Sequence, residues 1–245
     1  METAPVYILA LSILFMSTFI RASIGFGDAV LAMPLLAMVV GLQRATPVVA
    51  MCATTIAVTI LILDWRKVHL QASLRLILAS ALGIPIGLML LKRTPEEVLM
   101  IILGTVILGY GLYNLIRPQL PVLSDKLGIA LLFGFVAGML GGAFNTNGPP
   151  VVIYGKMRRW APANFRATLQ GYFVPVSSMI LIGHGIAGLW TPPVFRLYLY
   201  ALPVLFLAIF LGTKVNRALS PEKFDAALNW ALVVMGISLI VKSIV

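Results

Sequence analysis

No Asp, Glu, Lys or Arg occurs in residues 3–20, 45–63, 76–91, 98–116, 127–155, 167–195 or 197–213. A helix needs about 20 predominantly apolar residues, rising 1.5 Å each, to cross a hydrocarbon core of about 30 Å. Most of these runs reach that length or come close, and some hold a helix plus part of another. A water-soluble domain would need about a quarter of its residues charged to coat its surface. Here 11% are charged and 60% are hydrophobic. The fold class that follows is all-α: a polytopic membrane protein.

Apolar length, helix breakers and charges divide the chain into ten segments: 5–22, 28–40, 45–64, 71–91, 96–116, 125–141, 148–158, 163–186, 193–213 and 222–244. Pro118 and Pro121 disfavour a continuous helix between the fifth and sixth. The expected organisation is a first repeat over 1–117, a linker over 118–124 and a second repeat over 125–245, forming one integral membrane domain. Each half opens with a broken apolar segment, Ser23-Ile24-Gly25-Phe26-Gly27-Asp28 in the first and Asn145-Thr146-Asn147-Gly148-Pro149-Pro150 in the second. Each continues through a basic turn, at Arg44 and at Arg166, and two long spans. Each ends in a last span announced by Thr94-Pro95-Glu96 or Ser220-Pro221-Glu222. A hydroxyl, a proline and an acid in that order form a helix-start signal.

Five segments per half turn the second repeat upside down relative to the first. Placing the linker in the cytoplasm puts Arg44, Lys92, Arg93, Arg196 and Lys242 outside and leaves Arg21 in the first break; the other twelve of the 18 basic residues lie inside. That asymmetry obeys the positive-inside rule. Both termini are then outside, and the expected location is the cell inner (plasma) membrane. The formal charge of +10 reads as this bias rather than as nucleic-acid binding, because the basic residues sit between spans. The fold predicted is therefore two inverted-topology repeats, each a broken, re-entrant hairpin plus three transmembrane helices. The seventh segment is too short to span, which argues for the hairpin.

Non-helical backbone survives at membrane depth only where protein buries it or it lines a watery cavity. Both breaks are expected to place a helix N-terminus there, with Asp28 capping one helix and Asn147 the other. Such an end carries free N–H donors and roughly half a positive charge, which suits an anion. The expected substrate-binding residues are Gly25, Phe26, Gly27, Asp28, Asn145, Thr146, Asn147, Gly148 and Gln170, with the site expected where the two broken segments meet. Arg21, Asp28, Arg166 and His184 are candidates for a charge pair or for coupling, since intramembrane charges are costly and His titrates near neutrality. His184 also reads as an interfacial residue.

No nucleotide-binding or metal-ligand motif is present, no metal or cofactor is expected, and Ser177-Ser178 lacks a base and an acid partner, so the chain does not read as an enzyme. The single cysteine, Cys52, excludes an intrachain disulfide. The start of the chain lacks the basic region of a cleaved signal.

Residues 21–27, Arg-Ala-Ser-Ile-Gly-Phe-Gly, with Pro34-Leu35-Leu36 beyond them, resemble the first-half signature of the TauE/SafE family of sulfite exporters. Residues 138–154, with Asn164-Phe165-Arg166-Ala167-Thr168 after them, resemble the second-half signature. Asp28 departs from the pattern, standing where the family more often has a small residue. The resemblance implies export of small oxidised sulfur anions, such as sulfite or sulfonates, driven by an ion gradient. The expected function is a secondary transporter working by alternating access with proton coupling; an anion channel and a non-transporting membrane scaffold are the alternatives. The expected partners are a small anion and the lipid bilayer, with a homo-oligomer left open.

Overall fold

A computed structural model describes residues 4–24, 27–64, 70–116, 127–160, 162–215 and 221–244. These form ten helices: α1 (Ala4–Ile24), α2 (Asp28–Val40), α3 (Leu42–Asp64), α4 (Leu70–Arg93), α5 (Glu96–Ile116), α6 (Leu127–Phe144), α7 (Gly148–Met157), α8 (Pro162–Ile186), α9 (Pro192–Val215) and α10 (Pro221–Ile244). The ten segments expected from sequence all appear, because breakers bound them and long apolar runs fill them. Among the described residues, six helices are long and apolar enough to cross a membrane. Their outward faces carry large apolar side chains such as Leu82, Ile116, Leu207 and Phe210, as a lipid-facing surface requires. The chain is a multi-pass helical membrane protein. The linker over 118–124 and residues Gly25 and Phe26 lie outside the described residues.

Two helices are too short to span. α2 has 13 residues and α7 has 10, about 20 Å and 15 Å of rise against a core of about 30 Å. Each follows a long apolar helix after a break of three residues, at 25–27 and 145–147.

The chain folds into two compact units, and neither is a sequence half. The first comprises Met1–Val48, Arg93–Gln119 and Pro192–Val245; the second comprises Val49–Lys92 and Leu120–Thr191. The boundary inside α3 falls between Val48 and Val49, one residue past Pro47.

In the first unit α1 and α9 run parallel. Tyr7 meets Tyr200 edge-on at 5.9 Å, and at the other end Ser23 Oγ donates to Gly212 O at 3.3 Å. α5 and α10 run antiparallel: Gly104 packs on Gly236 and Ile240, whereas Gly111 packs on Asn229 and Val233. Gly41 alone joins α2 to α3, and two charges secure that joint. The Leu42 N–H donates to Glu96 Oε1 at 2.7 Å, and Lys242 Nζ donates to Met38 O at 3.1 Å. An acid thus meets the start of α3 and a base the end of α2, which complements both helix dipoles. Glu96→Ala should cost about 1 kcal/mol, as loss of a helix cap does. A melting point in detergent should fall by roughly 2–4 °C, and Glu96→Gln, which keeps an acceptor, should fall less; equal losses would contradict this role.

In the second unit α4 and α6 run parallel and in close register. Gly134, Gly138 and Gly142 lie opposite Leu76, Ser80 and Ile84, one helical turn apart each time. A Cβ on any of these glycines would strike the facing carbonyl oxygen. Small residues at this spacing let membrane helices approach to backbone contact. The approach positions Ser80 Oγ to donate to Gly134 O at 2.8 Å.

Candidate functional site

The second break begins where α6 stops. Asn145 adopts the left-handed region, φ 54°, which Asn tolerates better than most side chains. Its N–H donates to Gly141 O at 2.7 Å and that of Thr146 to Leu140 O at 3.3 Å, closing off the end of α6. Asn147 then occupies the N-cap position of α7 but makes no capping hydrogen bond. The expectation that its side chain caps the helix is corrected, and the reason lies in the next residues. An N-cap side chain accepts from the N–H of the second or third helical residue, and here those residues are Pro149 and Pro150, which have none. The prolines start the helix and also remove two of the backbone donors expected to face an anion. Gly148 keeps its N–H.

The donors at this break are therefore side chains. Asn145, Thr146 and Asn147 are all buried, yet Thr146 Oγ1 and Asn147 Nδ2 have no hydrogen-bond partner. A buried polar group left unpaired costs roughly 1–3 kcal/mol, and two such groups stand in consecutive residues at the start of α7. The Asn147 amide faces the Tyr172 hydroxyl without closing a hydrogen bond at Nδ2. Tyr172 is fully buried and lies 2.8 Å from Ser80 Oγ. Ser80 spends its single hydroxyl hydrogen on Gly134 O, so Tyr172 donates to Ser80 and turns its own oxygen toward Asn147. Gly148 is lined by Phe173, whose Cζ would lie 3.8 Å from a Cβ there.

His184 is fully buried within the protein, in the last turn of α8. Its Nε2 lies 3.2 Å from Gly142 O, in the last turn of α6, and its Nδ1 has no partner. Gln170 is also buried, in α8. The Arg166 side chain lies outside the described residues.

The first break, in the other unit, is built differently. Gly27 takes a left-handed conformation, φ 104°, and is the N-cap of α2. Asp28 is the first residue of the helix and does not cap it, which corrects the other capping expectation. Its Oδ2 instead accepts from Arg21 Nη1 at 2.6 Å. Both residues are buried. Arg21 lies in the last turn of α1 and Asp28 in the first turn of α2, so each charge also sits at the helix end whose dipole favours it.

Sequence reasoning found the breaks and their polar residues but missed Ser80 and Tyr172, each a lone polar residue in an apolar run. Long apolar helices with two short helices, each following a break, define a polytopic helical membrane protein. The family model described as Sulfite exporter TauE/SafE matches residues 9–239, and the chain belongs to that family. It is 28% identical over 183 residues, 72% of this chain and 74% of the relative, to a Comamonas testosteroni protein named "Probable inner membrane transporter protein TsaS". It is 25% identical over 182 residues, 74% of this chain and 70% of the relative, to a Cupriavidus necator protein named "Probable sulfite/organosulfonate exporter TauE". No solved structure matches significantly.

Proposed function

We propose that this protein is a secondary transporter that exports small oxidised sulfur anions, sulfite or organosulfonates, across the inner membrane by alternating access. The observation that carries the reading is the pair of buried, unpartnered donors at the second break, Thr146 Oγ1 and Asn147 Nδ2. A small oxyanion would satisfy both, with the Gly148 N–H beside them. The family and the printed name of the Cupriavidus necator relative support the sulfur chemistry.

Inverted repeats, the usual basis of alternating access in such folds, are supported by helix directions within each unit. α5 and α10, the fifth helices of the two halves, pack antiparallel, as equivalent helices of opposite topology do. The α1–α9 and α6–α4 pairs are also counterparts under an exchange of halves, and both are parallel. The charge bias then favours a cytoplasmic linker and external termini. Proton coupling through Asp28 or His184 fits their burial.

Counterflow of labelled sulfite or a sulfonate in proteoliposomes tests the function: a transporter exchanges, a channel gives flux without saturation, and a scaffold gives none. Asn147→Leu should lower saturable flux roughly 10- to 100-fold, the worth of a hydrogen bond to a charged group. Asp28→Asn should lower net flux as well. Unaltered flux in both variants, with normal elution in detergent, would remove the breaks from the transport site.

A further inference from the structure

Arg21 and Asp28 are the only Arg, Lys, Asp or Glu residues that are buried among the described residues. An anion entering this protein therefore has one described buried cation to meet, and that cation already holds a carboxylate. Burying a charge is expensive even when it is paired. Among the described residues, a Cβ on Gly27, the residue before Asp28, would meet nothing within 4 Å.

We propose that Arg21 is the counter-charge for the transported anion and that Asp28 is its stand-in when no anion is bound. The incoming anionic group replaces the Asp28 carboxylate on Arg21, and the displaced carboxylate takes one proton from water. Charge balances in both states: Arg21 with ionised Asp28 is neutral, and Arg21 with a monoanion beside protonated Asp28 is neutral too. One proton then accompanies each monoanion, and its transport carries no net charge. Export follows an outward anion gradient, and an inward proton gradient opposes it.

The other described charges on the helices around α1 and α2, among them Arg44 of α3, are exposed. α10 brings Lys242, which is engaged by Met38 O near the far end of α2. α5 brings Glu96 and Glu97, and Glu96 is engaged by the Leu42 N–H beyond that end. On α9, which packs along α1, Lys214 is exposed and lies 4.2 Å from the centre of the Phe210 ring, and Arg196 lies in the first turns of that helix, away from the Ser23–Gly212 contact.

This exchange rests on the transport reading, and the experiment separates the two. Purified protein in proteoliposomes is given labelled sulfite or labelled methanesulfonate, the latter a fixed monoanion near neutral pH. Anion uptake is followed with an internal pH dye, and the membrane potential is clamped with valinomycin. The unaltered protein should move one proton with each methanesulfonate, at a rate indifferent to the potential. Asp28→Asn should keep anion-for-anion exchange and lose net flux by at least about tenfold, because its empty form strands a buried guanidinium. Arg21→Met/Asp28→Asn strands no charge and should still fold, so it separates folding from function; it should lose anion uptake altogether. Transport by this double variant, or potential-driven uptake without protons by the unaltered protein, would overturn the exchange while leaving the transport reading intact. No uptake of either anion by the unaltered protein would overturn both.

Discussion

Gly138→Val is expected to destabilise the second unit by about 3 kcal/mol or more, as a sum of overpacking and lost hydrogen bonds. At Gly138 an added Cβ would sit 2.6 Å from Ser80 Cα and would also strike the Ser80 carbonyl oxygen. These obstacles are backbone atoms, so no rotamer change relieves them; α4 and α6 must separate. Separation also strains the Ser80 bond to Gly134 O and the Tyr172 bond to Ser80, and through Tyr172 it disturbs the surroundings of Asn147. The loss should appear as a lower melting point and a smaller monodisperse fraction in detergent. Gly128→Val supplies the comparison. A Cβ at that position of α6 meets nothing within 4 Å among the described residues, so its cost should be only that of helix propensity, a few tenths of a kcal/mol in either direction. Similar melting for the two variants would mean that the helix contact at Gly138 is looser than the backbone geometry implies.

The contrast between these glycines shows what a sequence states and what it leaves unsaid. Helix positions were legible because membrane helices need long apolar runs, and breakers such as Asn147-Gly148-Pro149-Pro150 end them. Close packing was not: Gly128 and Gly138 look alike until α4 arrives beside one of them. The same holds for Tyr172 and Ser80, which lie 92 positions apart and carry no local signal of their pairing. The two compact units were hidden for a related reason, since α1 finds its partner in α9, and α6 in α4, across the boundary between the halves.

Local rules also failed where their assumptions did. Asn147 and Asp28 both stand where a capping side chain is expected. Capping presupposes a free N–H one turn ahead, and Pro149-Pro150 removes it. It also presupposes the N-cap position, and Gly27 takes that place, leaving Asp28 inside the helix with its carboxylate on Arg21. In each case the failure points to chemistry at the break: an amide left unspent in one, a buried ion pair in the other.

That ion pair sets the other large expected effect. Arg21→Ala should cost about 3–5 kcal/mol of stability, because it leaves the Asp28 carboxylate buried without its cation. The α2 dipole still favours a negative charge at that position, but a helix end contributes only about 0.3–2 kcal/mol, too little to compensate. Adding Asp28→Asn to Arg21→Ala removes the stranded charge, and the double variant should recover a large part of the loss. What it does not recover is the packing of the Arg21 side chain, which reaches Asp28 across seven positions of chain. The order expected for melting in detergent is therefore unaltered protein, then the double variant, then Arg21→Ala alone. A double variant less stable than Arg21→Ala alone would show that Asp28 is held by groups other than Arg21. The order also bears on retention of the pair. Neutral replacement of a buried pair is often tolerated or even stabilising, so if the neutral double variant folds well, stability alone does not account for keeping two buried charges.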